Sequence, residues 1–451
     1  MAFMADEKSP SRISHRLFAT SRSEIEVYMR FFHLSDLHIG KQLHAYDLTE
    51  TQVDVMTQVI EAAKTYRPDA ILIAGDIYDK AAPSGEAFRL FDSFLRQLSD
   101  LEPKIPVMII SGNHDNNLRL SYAGAFLEKE QIYVSANLPQ REEEHLSKIV
   151  LSDPWGHVNF YLLPFTKPAD ARNFLRESEG EYPSEEAEDK NIAQKDEMTE
   201  QTESEGTEKE NPVRTYEEAV KFFLDREHIN TEERNVLLAH QFFVAGAEEP
   251  ERRDSEIRYL SIGGLDSVST EVVEDFDYVA LGHIHKAQKV GSEKIRYSGT
   301  PMKYSVSEAS DEKCITMVTL EEKGKLQVEK IPLVLHPDVL CLKGTLEELI
   351  ARGKDHPCDD YVSIILTNEE SLVRPKDRLA EFYSRILEVQ IENSRTLHFL
   401  QRDSEEQEDE NMLTLFQEFF REMNQRPLNE EETELVEQVI AKLSGSQSYT
   451  V

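Results

Sequence analysis

From Met29 onward the chain alternates short, unbroken apolar runs with longer amphipathic stretches, and that rhythm constrains the fold more than any other feature. A run such as Ile71-Leu72-Ile73-Ala74 has no polar residue in alternation, so a strand built from it must be buried on both faces. Strands are expected at 30–34, 70–74, 107–110, 158–163, 236–239, 278–281, 295–297 and 315–320. Helices are expected over 49–66, 85–98 and 118–128. The pattern predicts an α/β fold with a mainly parallel sheet covered on both faces.

At 451 residues the chain exceeds one ordinary core, and the pattern changes twice along it. Residues 1–28 read as a disordered extension. Residues 177–211 carry fourteen acids and three bases with few apolar groups, and read as a disordered acidic insertion. After about residue 335 a smaller alternation begins: strand 339–343, helix 346–352, strand 361–366, helix 377–387. It is enough for a small α+β domain over 336–400. Residues 401–451 read as an acidic linker followed by two amphipathic helices, 412–423 and 430–443, whose apolar faces meet either a partner or the chain's own body.

The formal net charge of −36 opposes a polyanionic substrate, but 177–211 and 401–451 together hold 20 of those excess negative charges. If the protein handles nucleic acid, cations and a partner must supply much of the attraction. No apolar run approaches the roughly 20 residues needed to span a bilayer. The three cysteines, Cys314, Cys341 and Cys358, form no C-x-x-C pair. A reducing, cytoplasmic setting fits them.

Five of the expected strands end in groups that bind cations. Asp36-Leu37-His38 follows the first; residues two apart in extended chain point the same way, so both reach one ion. Gly75-Asp76 follows the second, and the two oxygens of Asp76 suit it to bridge two cations. Gly112-Asn113-His114-Asp115 follows the third: the Asn113 carbonyl is a hard, neutral ligand, and His114 beside it could protonate a leaving oxygen. His240 ends another strand, and Gly282-His283-Ile284-His285 repeats the two-residue spacing. Any one of these is weak alone. So many desolvation-prone groups at successive strand ends are not needed for folding. Asp36, His38, Asp76, Asn113, His240, His283 and His285 suit two divalent ions about 3.5–4 Å apart, and the imidazole–oxygen mixture favours manganese, iron or zinc over calcium.

At these motifs the chain resembles the calcineurin-like metallophosphoesterases, with their layered sheets flanked by helices. Within them it resembles the SbcD nucleases through His33–Gly40, Leu237–Phe242, Ile262–Asp266, and Phe276–His285 leading to Tyr297–Tyr304. The likeness implies a nuclease domain over 29–335, a capping domain and a partner-binding helix pair. It implies one metal on Asp36, His38, Asp76 and His285, and a second on Asp76, Asn113, His240 and His283. It implies His114 as the group assisting departure, with Asp79 orienting its ring, though some members carry His at that position. Further implications are Mn2+, homodimers, an SbcC-type ATPase partner, endonuclease action on single strands and hairpins, and ATP-dependent exonuclease action on duplex ends. Lys41, Arg119, Lys286, Lys289 and Lys303 are candidate phosphate contacts. Phe88, Phe91 and Phe94 are candidate dimer contacts, with burial inside the monomer the equal alternative. The same chemistry on a nucleotide or phosphoprotein, and a catalytically dead scaffold, are the competing functions.

Overall fold

The computed structural model of the protein describes residues 28–178, 213–256 and 266–393, with isolated positions between Phe420 and Val436. The expected extension 1–28 (except Tyr28) and insertion 177–211 (beyond Ser178) lie outside the described residues, as does nearly all of 401–451 with its two expected helices. Contacts divide the chain into two compact units, up to Leu340 and from Cys341.

The first unit is built on two six-stranded sheets. The first sheet contains β1 (Met29–Leu34), β2 (Ala70–Ala74), β3 (Val107–Ile110) and β4 (Ile132–Ser135), all parallel, with β11 (Cys314–Leu320) and β12 (Leu326–Pro332) added antiparallel beside β1. The second contains β5 (Ser147–Asp153), β6 (Gly156–Leu163), β7 (Arg234–His240), β8 (Tyr278–Gly282), β9 (Gln288–Val290) and β10 (Ser292–Tyr297), in the order β9-β10-β8-β7-β6-β5. Its middle strands β6, β7, β8 and β10 are parallel, and both edges are antiparallel.

The unbroken apolar runs are explained by what lies on each face. Phe31, Leu72, Ala74, Met108 and Ile110 face Phe160, Leu162, Val236, Leu238, Tyr278 and Ala280 of the other sheet. Phe31 sits edge-on to Phe160 and Tyr278, each with ring centroids 5.6 Å away; truncating such a core aromatic to alanine costs about 3–5 kcal/mol. The alternate residues Leu163, Leu237, Ala239, Val279 and Leu281 pack with Phe174, Ala219, Val220 and Phe223 of helices Pro168–Ser178 and Tyr216–Asp225. On the opposite side, helices Thr49–Tyr66 and Gly85–Ser99 close over Leu34 through Val55, Val59 and Phe94. The layers therefore run helix, sheet, sheet, helix. The expected α/β fold of layered sheets flanked by helices is found, and each mainly parallel sheet is covered on both faces, by helices on one and by the other sheet on the second.

Two local expectations are corrected. The helix expected over 118–128 breaks into Asn117–Leu120, Gly124–Leu127 and a 3-10 turn at Glu128–Glu130. Ala123, in left-handed backbone at φ 63°, interrupts it. In the second unit the helix expected over 377–387 is instead the short helix Pro375–Leu379 and a strand, β15 (Tyr383–Ile391). That strand pairs in parallel with β14 (Cys358–Leu366), beside β13 (Val339–Gly344). Helix Leu346–Asp355 completes the unit, its start fixed by a Thr345/Glu348 capping box, and Tyr383 donates to the Leu349 carbonyl at 2.8 Å.

Candidate metal centre

The parallel strands of both sheets end at one place. β1, β2 and β3 deliver Asp36, His38, Asp76, Asn113 and His114, while β7 and β8 deliver His240, His283 and His285. Three backbone bonds lace the first two loops together: Asp36 N donates to Gly75 O, His38 N to Asp76 O and Ile39 N to Ile77 O. Asp36, His38, Asp76 and His283 all have positive φ, at 52°, 41°, 50° and 104°. A non-glycine residue held there costs on the order of 1–3 kcal/mol, and such strain concentrates at functional sites.

All seven expected ligands are brought together. Donor atoms of Asp36, His38 and His285 form one group, those of Asp36, Asp76 and His240 another, and those of His38, Asp76 and His114 a third; within each, all lie within 4.8 Å of one another. Asp76 is central: its Oδ2 stands 3.6 Å from His38 Nε2, 3.5 Å from His240 Nε2 and 3.8 Å from His114 Nε2, while Oδ1 accepts from His114 N at 2.9 Å. Asn113 Oδ1 lies 3.0 Å from His240 Nε2 and 3.1 Å from His283 Nδ1.

These distances fit cation coordination. His240 Nδ1 donates to the Ala74 carbonyl at 2.8 Å, so a neutral His240 turns the bare lone pair of Nε2 toward another acceptor, Asn113 Oδ1. His38 Nε2 and His285 Nε2 are 3.1 Å apart, the spacing of adjacent nitrogens on one ion when each bond is about 2.1 Å. His38 Nδ1 is buried with no hydrogen-bond partner among the described residues.

The electrostatics point the same way. Burial, before any other influence, pushes His283 down to about 3 and holds His38 and His285 well below the usual imidazole range, leaving their lone pairs available. Burial raises Asp36 to about 7. Burial would also lower His240, but the carboxylates of Asp76 and Asp36 outweigh it and raise it to about 9. The protein's own groups thus use an imidazolium as the counter-charge that a dication would supply.

His114 is placed as expected, and Asp79 meets its ring through the backbone rather than the carboxylate. Its Nδ1 lies 2.8 Å from the backbone carbonyl of Asp79, whereas the Asp79 carboxylate pairs with Lys41 at 2.8 Å. Asp115, next in the same motif, has a bracing role that its sequence position alone does not disclose. Its buried carboxylate accepts from Ile77 N, Tyr78 N and Gly112 N at 3.1, 3.0 and 2.9 Å, clamping the second loop to the third. His33 braces the sheets through Tyr278 Oη and Leu281 O, at 2.9 and 3.1 Å.

Of the candidate phosphate contacts, Lys303 is buried and bonded to Asp338 and the Ala309 carbonyl. Lys41, Lys286 and Lys289 are ion-paired with Asp79, Glu251 and Glu293. Arg119 donates to the Ala81 carbonyl at 2.6 Å. A basic group not singled out from the sequence also lies near the histidines: Arg252 stacks 3.9 Å from the Phe242 ring centroid, and its charge helps depress His283. Phe91 and Phe94 are core residues, and only Phe88 of the three is exposed. Of the resembling stretch 262–266, only Asp266 lies within the described residues.

A two-sheet fold with an acid- and histidine-lined centre at the strand ends is the arrangement of a phosphoesterase. The calcineurin-like phosphoesterase family model matches residues 29–287, and the chain belongs to that family. Residues 337–424 match a second model, the type 5 capsule protein repressor C-terminal domain. A curated relative, the SbcD subunit of nuclease SbcCD from Staphylococcus epidermidis, is 27% identical over 417 residues, covering 92% of this chain and 98% of that protein. Among solved structures, GAP50, described as the anchor in the inner membrane complex of Plasmodium, shares 12% identity with a TM-score of 0.37, over 68% of this chain and 90% of that one.

Proposed function

We propose that the chain is the nuclease subunit of an SbcCD-type complex, hydrolysing DNA phosphodiesters with two divalent cations. The observation that carries the reading is continuity. Likeness to an SbcD protein runs through 92% of the chain, beyond the phosphoesterase domain that a simple phosphatase would need. Asp36, His38, Asp76 and His285 would hold one cation, and Asp76, Asn113, His240 and His283 the other; Mn2+ suits the mixed donors. Bound there, the cations supply Lewis-acid charge for the phosphate and an activated water. His114, with Nδ1 held by the Asp79 carbonyl, presents Nε2 to protonate the leaving oxygen. Arg252, its guanidinium over the Phe242 ring, is suited to a phosphate oxygen.

The second unit is read as the capping domain and 401–451 as the segment that docks on an SbcC-type ATPase, which would clamp duplex DNA and so ease the charge problem. Leu118, Tyr122 and Phe126, 80%, 83% and 73% exposed, supply an apolar surface for a homodimer. No helix among the described residues is long and apolar enough to cross a membrane, and a cytoplasmic site of action is proposed with the rest. The test is cleavage of a labelled hairpin by the purified chain with Mn2+, followed by duplex-end digestion with SbcC and ATP. Rapid turnover of a nucleotide or phosphoprotein without DNA cleavage would instead identify a metallophosphatase.

A further inference from the structure

We infer that Glu308, acting through the hydroxyl of Ser255, is the positioning group that fixes the His285 ring as a metal ligand; this rests on the two-cation reading above. Ser255 Oγ lies 2.6 Å from His285 Nδ1 and 2.6 Å from Glu308 Oε1. A hydroxyl has one proton, and a carboxylate only accepts, so Ser255 donates to Glu308 and its lone pair accepts from His285 Nδ1–H. That fixes the tautomer with Nε2 bare, turned toward His38 Nε2 and grouped with Asp36.

Glu308 is itself held from all sides. Oε1 also accepts from Tyr304 N at 3.1 Å and Ser305 Oγ at 3.0 Å, and Oε2 from Thr300 Oγ1 at 3.0 Å and Lys313 Nζ at 2.6 Å. Glu308 and Lys313 are both buried. A buried ion pair is weak support for stability and is often replaceable by apolar residues of similar volume. Its retention here is explained by orientation. The loop carrying Ser255 grips His285 twice, because Glu256 Oε1 accepts from His285 N at 2.9 Å, and Arg253 pins the loop to Asp311 at 2.9 and 2.7 Å. His240 and His114 have their tautomers set by backbone carbonyls, beyond the reach of substitution, whereas that of His285 depends on side chains.

The test uses the full chain with histidine 15N-labelled, reading ring tautomers by long-range 1H–15N spectra and Mn2+ binding by the electron paramagnetic resonance of free Mn2+. The wild type should bind two ions, with His285 protonated at Nδ1 before they are added. Ser255→Ala should weaken one ion by about 10–100-fold, the usual effect of losing such a partner. It should leave the other within about threefold and mix the His285 tautomers. Ser255→Thr should restore binding. Glu308→Met with Lys313→Met, which orphans no buried charge, should reproduce the one-site loss. Loss at neither site or at both equally, with His285 unchanged, overturns the inference while leaving the two-cation reading in place. A wild type that takes up no pair of ions overturns that reading, and this inference with it.

Discussion

Gly112→Ala isolates how closely the backbone must approach Asp76. A Cβ built on Gly112 falls 2.1 Å from Asp76 Oδ1, 2.4 Å from Asp76 N and 2.8 Å from its Cγ. Cβ contacts essentially never fall below 3.0 Å, so the third loop or the carboxylate must retreat by about 1 Å. Rotating the Asp76 side chain is not enough, because its backbone N is also in the way. Gly112 does not have positive φ, so alanine fits the local backbone and the change tests the contact alone. The overpacking should cost about 1–3 kcal/mol of stability. A shift of about 1 Å in the shared carboxylate should lower turnover about 10²-fold, with both Mn2+ sites weakened because Asp76 faces both groups of ligands. The assay is Mn2+-dependent cleavage of an end-labelled hairpin beside Mn2+ titration. Gly85→Ala, where nothing lies within 4 Å of the added methyl, is the control and should stay within twofold. Turnover by Gly112→Ala within threefold of the wild type, with both ions still tight, would show that the shared carboxylate does not need this position.

His114→Ala should cut turnover about 10²–10⁴-fold while Mn2+ affinity stays within about threefold; unchanged turnover removes His114 from the mechanism. Burial holds Asp36 up near 7 and the facing carboxylates raise His240 to about 9, so at pH 6.5 both keep protons that cations must displace, and calorimetry in two buffers of different ionisation enthalpy should register their release. The linked stability has a definite sign: folded Asp36 retains its proton after the unfolded carboxyl has lost it, so its contribution favours folding at low pH and is lost as pH rises from about 4 through 7. A metal-free chain whose denaturation midpoint is flat across that window, with no proton release at pH 6.5, contradicts both. Leu118→Asp with Tyr122→Asp should convert a dimer to monomer in sedimentation with the melting temperature nearly unchanged, because both side chains are exposed; a dimer that persists places the interface elsewhere.

Much of the centre was readable because its physics is local. Asp36 and His38 stand two apart beyond an apolar run, as do His283 and His285, and that spacing flags each pair, although Asp36, His38 and His283 sit in left-handed rather than extended backbone. The partners of the apolar runs were not readable. A residue such as Leu72 announces that it is buried, not whether a helix or a second sheet buries it, and only the tertiary structure distinguishes the two. The stretch 377–387 failed for a related reason: Tyr383, Ile386 and Leu387 suit a helix stripe, and parallel pairing with β14 decides otherwise. Leu118, Tyr122 and Phe126 recur every four residues, yet that stripe faces solvent on broken helical turns. Ser255 and Glu308 are 53 positions apart in no periodic relation, so nothing in the chain joins them until the loops are folded.

The origin of each ligand gives the site its chemical logic. The first sheet contributes the carboxylates, the amide and His38; the second contributes only imidazoles, His240, His283 and His285. Carboxylates gathered on one sheet alone would repel one another, and burial already raises Asp36 and Asp115 to about 7 and 6. Imidazoles facing them from the second sheet let the two sheets close without adding negative charge, and burial keeps His283 and His285 neutral while His240 carries the counter-charge. The result is a pocket that gathers carboxylate, amide and imidazole acceptors, four of its residues in left-handed backbone. Neither property stabilises a folded chain, and cations bound there would offset the cost of both. In an acidic protein, cations held there would draw a phosphate toward this site, with Arg252 near it.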